Sequence, residues 1–170
     1  MSHELAVLLD RYEAGGLSRR EFLGAVAALT LSPSIGPTEP AIGVAKQLNH
    51  ATLFVRNVQA SRVFYQKLFG MPILTPQPPG LNLATGSGFV GLYPAPAGEQ
   101  SRIDHLCFGL ERFDAKSTHE KLATLGIESV IRVRGDTDEL YFVDPDGIRV
   151  QLQDVRYRGG TGLIGDRDPK

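Results

Sequence analysis

From residue 48 onward the chain alternates apolar and polar positions with a period of two, changes to a helical period, and then repeats the plan. Residues 48–55 read as a strand of β-branched and aromatic side chains in alternation. Asn57 is placed to cap a following helix, Val63, Phe64 and Leu68 give that helix an apolar stripe, and Gly70 stands where a left-handed residue ends it. Pro72, Pro76, Pro78, Pro79 and Gly80 predict a loop, followed by short strands over 81–84 and 88–93 and a linker over 94–98. The second half opens with a strand over 103–110, then a helix capped by Asp114, carrying Leu122 and Leu125 and ended by Gly126. Strands over 128–134 and 139–143 join at Gly135-Asp136, and the tight turn Asp144-Pro145-Asp146-Gly147 leads into a last strand over 148–155. The pattern predicts an α+β fold of two tandem βαβββ modules, 46–98 and 101–156, forming a cupped mixed sheet backed by helices.

Parity along the strands assigns the faces. Ala51, Leu53 and Val55 share one face, as do Leu106, Phe108 and Leu110, and Val150 with Leu152. If those apolar faces meet the helices, His50, His105 and Gln151 project together from the other face, into the concavity between the two halves. Two imidazoles at equivalent points of duplicated strands suggest a metal centre near a pseudo-twofold axis. Cys107 shares the face of His105, although a small buried apolar role suits a lone strand cysteine. His119 in the second helix and His3 near the start are not ligand candidates. Tyr141, on the strand before the turn, is a candidate to present its phenol to a substrate, and Arg132, Arg134 and Arg149 read as solvated strand positions.

Composition removes several classes. Eighteen Lys and Arg against 19 Asp and Glu, with no Trp, exclude a basic or base-stacking nucleic-acid surface. A single cysteine, Cys107, allows no internal disulfide. No apolar run is long enough to span a bilayer, so no stable membrane span is expected. Residues 157–170, rich in Gly and charge, are expected to form a flexible tail.

Residues 1–45 read as a separate segment. Ser18-Arg19-Arg20-Glu21-Phe22-Leu23, the weakly apolar run after it and the Pro/Gly-rich stretch through Pro40 resemble a twin-arginine export signal. That resemblance implies a periplasmic or otherwise exported bacterial protein. The other reading is an amphipathic helix over 4–14, with the protein cytoplasmic.

The doubled strand–helix–three-strand unit, the strand-opening His50 and His105 and the Asp144-Pro145-Asp146-Gly147 turn resemble the vicinal oxygen chelate superfamily over residues 48–154. That family holds glyoxalase I, extradiol dioxygenases, epimerases, fosfomycin-resistance enzymes and metal-free bleomycin-binding proteins. The resemblance implies a divalent ion (Fe, Mn or Zn) held by His50, His105 and the residue at 151, where the family's usual glutamate is replaced by Gln151. Counting back from Tyr93 matches Leu92 to that position in the first half, and leucine cannot coordinate. No carboxylate base is evident on the inward face, which favours dioxygenase-type chemistry on a small substrate with vicinal oxygens over isomerisation. The alternative is a metal-free cup that binds or sequesters a small molecule. Monomer and homodimer are both left open.

Overall fold

Two compact units, Met1–Glu39 and Pro40–Lys170, make up the chain, and the computed structural model describes residues 3–31 and 41–169. In the first unit, α1 (His3–Glu13) and α2 (Arg19–Leu31) form a helical pair. A capping box starts α2: the Glu21 carboxylate accepts the Ser18 N–H at 2.8 Å and the Ser18 hydroxyl accepts the Glu21 N–H at 3.3 Å. Tyr12 stacks on Phe22 with ring centroids 4.7 Å apart. Arg19 and Arg20 therefore open a capped helix. The Pro/Gly-rich part of the expected export segment, residues 32–40, lies outside the described residues.

In the second unit the repeat becomes β1 (Ala45–Val55), α3 (Val58–Phe69), β2 (Ile73–Gln77), β3 (Gly80–Thr85) and β4 (Gly88–Pro94), then β5 (Arg102–Leu110), α4 (Ala115–Thr124), β6 (Ser129–Arg134), β7 (Thr137–Val143) and β8 (Arg149–Asp154). The strands form one eight-stranded sheet, curled into a half-barrel, in the order β2-β3-β4-β1-β5-β8-β7-β6. β1 with β4 and β5 with β8 run parallel, and the other pairs are antiparallel. A pseudo-twofold passes between β1 and β5, because His50 pairs with Cys107 while His105 pairs with Thr52. Exchanging the two strands carries one pair onto the other.

Local chemistry sets the helix ends. The Asn57 side-chain oxygen Oδ1 accepts the Ala60 N–H at 2.9 Å, and Gly70 closes α3 at φ 66°. Asp114 accepts the Ser117 N–H at 2.7 Å to start α4. The main apolar core lies between α4 and the second half of the sheet, where Leu110, Ala115, Leu122, Leu140, Val150 and Leu152 pack together.

Three expectations need correction. The proline-rich stretch after Gly70 contains β2, and Pro76 is tolerated there because β2 is an edge strand whose outer side needs no ladder bond. The predicted stripe of α3 does not face the sheet: Val63, Phe64 and Leu68 are 52%, 56% and 56% exposed. The helix instead turns Ser61, Arg62, Tyr65 and Gln66 partly inward.

The tail is not loose. Its glycines allow close packing: added side chains at Gly159, Gly160 and Gly165 would overlap Asn82, the Arg167 carbonyl and the Tyr157 ring respectively. Thr161 and Arg167 exchange backbone hydrogen bonds at 2.6 and 2.7 Å, so the segment folds back on itself, and Arg167 pairs with Asp136. A composition that reads as disorder here serves a tight strap lying on the sheet.

Candidate metal and ligand site

β1, β5 and β8 lie side by side, and their inward side chains meet at the floor of the cup. His50 and His105 approach Nε2 to Nε2 at 3.3 Å, and Gln151 Oε1 lies 3.1 Å from His50 Nε2. All three residues are at least nine-tenths buried. The structure thus brings together the three residues that strand parity placed on one face. Tyr141 is close by, its ring edge-on to His105 with centroids 5.4 Å apart.

Hydrogen bonds on the far side of each ring decide which nitrogen carries the proton. The Asn49 amide nitrogen donates to the carbonyls of Tyr157 and Val155, so its oxygen accepts the Nδ1–H of His50 at 2.9 Å. His105 Nδ1–H donates to the Asp104 carboxylate at 2.7 Å. Each Nε2 is left with a lone pair, and that of His50 faces both His105 Nε2 and the Gln151 oxygen. The Gln151 amide nitrogen is buried with no partner. Three lone-pair atoms therefore converge with no proton between them. A divalent ion with bonds of about 2.1 Å at right angles separates adjacent donors by roughly 3.0 Å, close to the spacing seen here, so the site fits a cation. Among the described residues no group of three His, Cys, Asp or Glu could hold a metal, so a third donor beside the two imidazoles would be the amide of Gln151.

Electrostatics favour neutral ligands. Burial, then the proximity of His105, push the His50 imidazole well below its ordinary value, against a smaller opposing effect of Gln151. Burial alone would raise the Asp104 carboxyl, but the hydrogen bond from His105 and the nearby charges of Arg149 and Arg102 together hold it below the usual carboxylate value. Arg149 Nη1 also donates to Asp104 at 2.9 Å, and its guanidinium lies over the Tyr141 ring at 4.3 Å.

Above the floor is a cavity of about 510 Å³. Phe89, stacked on His50 at 4.3 Å, Tyr93 and Tyr157 give it aromatic walls. Arg132, Arg134 and Arg149 line it against Asp104 and Glu139, a formal surplus of one positive charge.

Glu139 corrects the expectation that no carboxylate faces inward. It is 2% exposed and accepts the Tyr141 hydroxyl at 3.0 Å and the Tyr157 hydroxyl at 2.7 Å, with Arg134 at 3.6 Å. Burial, followed by Glu139, raises both phenols above the ordinary tyrosine value. Tyr141 therefore points its proton at Glu139. Period two along β7 places Glu139 on the face of Tyr141, so this residue could have been found by the same parity that found the histidines.

Gln77, Asn82 and Tyr93 were also missed, the first on a stretch that reads as a loop and the other two on short strands whose faces were not assigned. The Tyr93 hydroxyl donates to the Gln77 and Asn82 oxygens at 2.8 and 3.3 Å, and burial pushes it up to about 12.

The register replaces Leu92 as the first-half match to Gln151. His50 precedes Ala51, which pairs with Val90, while His105 precedes Leu106, which pairs with Val150. Gly91 is therefore the counterpart of Gln151, and it offers no side chain. Arg134 is not a solvated position: it donates to Gln77 and to the Gly159 carbonyl inside the cup. Cys107 is fully buried and outside the cavity lining, and burial then Glu139 raise its thiol. His119 bonds Ser129 at 2.7 Å, tying α4 to β6.

Residues 47–152 match the model of the glyoxalase/bleomycin resistance protein/dioxygenase superfamily. The glutathione transferase FosA of Serratia marcescens is 27% identical over 114 residues, covering 63% of this chain and 79% of that protein. Two solved structures share the fold. Methylmalonyl-CoA epimerase of Mycobacterium tuberculosis has TM-score 0.53 at 15% identity, over 65% of this chain and 88% of that one. Homoprotocatechuate 2,3-dioxygenase of Brevibacterium fuscum has TM-score 0.53 at 20% identity, over 68% of this chain and 39% of the dioxygenase. With the doubled module, the central dyad and a family match over most of the curled sheet, the chain belongs to the glyoxalase/bleomycin resistance protein/dioxygenase superfamily.

Proposed function

We propose that the protein is a metal-dependent enzyme of dioxygenase type, acting on a small anionic substrate that presents two adjacent oxygens. The observation that carries this reading is the convergence of His50 Nε2, His105 Nε2 and Gln151 Oε1, three buried donors with no proton among them. An ion held there supplies Lewis acidity and, as iron or manganese, a site for dioxygen. Because all three donors are neutral, an anionic chelating substrate supplies the charge that a glutamate ligand would otherwise bring. The arginines of the cavity wall favour the same sign of charge. Tyr141 and Tyr157 remain protonated phenols that hold Glu139 in place, and every contact of that carboxylate is a donor. It is consequently an anchor more than a base. Phe89 and the tyrosines exclude water from the floor of the cup.

Element analysis of the full-length protein, after exposure to Fe(II), Mn(II) and Zn(II) in turn, tests the reading. The expected result is close to one equivalent of one of these per chain, with dioxygen uptake when catechol is added to the iron form. A protein that retains none of them yet binds planar small molecules in the cup is the metal-free alternative, which the all-neutral donor set favours. Asp104→Ala is expected to weaken metal binding about tenfold, read by competition with a chelating dye, because His105 then loses the acceptor that orients it. From the Arg19-Arg20-Glu21-Phe22-Leu23 run we also propose export by the twin-arginine route. Lysine at both Arg19 and Arg20 is then expected to leave the protein in the cytoplasmic fraction, and secretion at the wild-type level would remove the proposal.

A further inference from the structure

The segment after β8 lies beyond the family match, which ends at residue 152, yet it touches both halves of the two-histidine floor. On one side, the fully buried Asn49 gives its two amide protons to the carbonyls of Tyr157 and Val155, at 3.1 and 3.4 Å. Its oxygen accepts the His50 Nδ1–H. Turning this amide over would aim its oxygen at two carbonyls and its N–H₂ at a ring N–H. The carbonyls of the segment therefore fix which end of Asn49 meets His50, and with it the ring nitrogen that stays free of a proton.

On the other side, the Tyr157 hydroxyl holds one oxygen of Glu139 while Tyr141, which packs edge-on against His105, holds the other. The segment is itself seated by side chains remote from the histidines. Thr75 donates to the Arg158 carbonyl at 2.7 Å, Arg134 to that of Gly159 at 3.3 Å, and Thr137 to that of Gly162.

We infer that residues 155–168 form a positioning strap for the two-histidine centre, orienting His50 through Asn49 and the wall beside His105 through Tyr157, Glu139 and Tyr141. The inference rests on the reading of the pair as metal ligands. Its parts act on the centre through Asn49 and Tyr141 and are positioning residues. With the strap displaced, Asn49 is free to turn, both neutral tautomers of His50 become accessible, and the one protonated at Nε2 cannot coordinate.

Two variants of the full-length protein test it. Gly165→Val places a side chain in the space of the Tyr157 ring, at a backbone φ of 62° that also disfavours valine, and so unseats the strap without touching either histidine. Asn49→Leu cuts the link while leaving the strap's other anchors. Co(II) serves as the probe, through its dissociation constant and its visible ligand-field spectrum, and ¹⁵N imidazole spectra are recorded on the protein without added metal.

The expected result for each variant is about a tenfold rise in the Co(II) dissociation constant, a changed ligand-field spectrum, and a His50 imidazole signal that moves from a single Nδ1–H tautomer toward the average of two. A loss of thermal stability alone would change none of these spectra. A dissociation constant within about twofold of wild type, together with an unchanged His50 signal in both variants, overturns the inference. Wild-type protein that takes up no Co(II) defeats the metal reading instead, and the imidazole spectra of the metal-free protein still decide the role of the strap.

Discussion

Alanine at His50 or at His105 is expected to lower divalent-metal affinity by more than about 100-fold, beyond the range seen when only a ligand's supporting partner is lost. The protein would then retain no stoichiometric ion through purification. With only three neutral protein donors in the described site, losing one leaves two, and no cluster of three His, Cys, Asp or Glu among the described residues offers a second site. The two variants differ in their side effects. His50 stacks on Phe89 at 4.3 Å and is the partner of the Asn49 amide oxygen, so its removal leaves a gap against an aromatic ring and an unpaired amide oxygen. His105 instead leaves Asp104 with Arg149 alone, a pair that survives the loss. Thermal stability should fall more for His50→Ala than for His105→Ala, while metal is lost equally from both. His119→Ala, which breaks a bond to Ser129 far from the cup, provides the comparison and should keep its ion. Metal content unchanged in both site variants would remove the histidine pair from any metal chemistry.

Strand parity carried most of what could be read before the fold was known. Alternation at His50, His105 and Gln151 predicts a common face, and the side chains do share one, because a period of two survives the bulges between β1 and β5. Capping at Asn57 and Asp114 is equally local and equally readable. What could not be read was tertiary. The strap's glycines look like disorder in composition, and only their contacts with Asn82, Arg167 and Tyr157 show that the chain needs the missing side chains to pack closely. β2 was hidden by prolines that an edge strand accepts and a central strand does not. Counting back from Tyr93 chose Leu92 in place of Gly91, since a count does not see the parallel register that sets equivalence. Glu139 was within reach of parity and was passed over, because a charged residue at a strand start is usually solvated. The outward face of α3 departs from a rule that holds for α4, whose Ala115, Thr118 and Leu122 are buried while α3 buries none.

Gln151→Glu is expected to strengthen metal binding by about 10- to 100-fold, or roughly 1.4–2.7 kcal/mol, and to destabilise the protein without metal. Both effects have one cause. Gln151 is 1% exposed, and its oxygen already sits 3.1 Å from His50 Nε2 with no proton between them. A carboxylate there meets the ion with a full negative charge in a site of low polarity, where attraction is little screened. The gain is held to one or two decades because the same carboxylate must first lose its hydration. Without the ion that cost is uncompensated, so the buried carboxyl stays protonated to a higher pH than in the unfolded chain. The sign follows: stability of the metal-free variant is unaffected at low pH, where both states are protonated. It then falls as pH rises above about 4.3, the ordinary glutamate value, until the folded-state value is reached. Adding Zn(II) should reverse the order of melting temperatures, with the variant above wild type, since a ligand stabilises in proportion to the logarithm of its concentration over the dissociation constant. An amide that merely donates a proton to His50 would behave otherwise. Glutamate would then change the pH dependence without changing metal affinity, and Gln151 would leave the centre as a ligand while the two histidines remained.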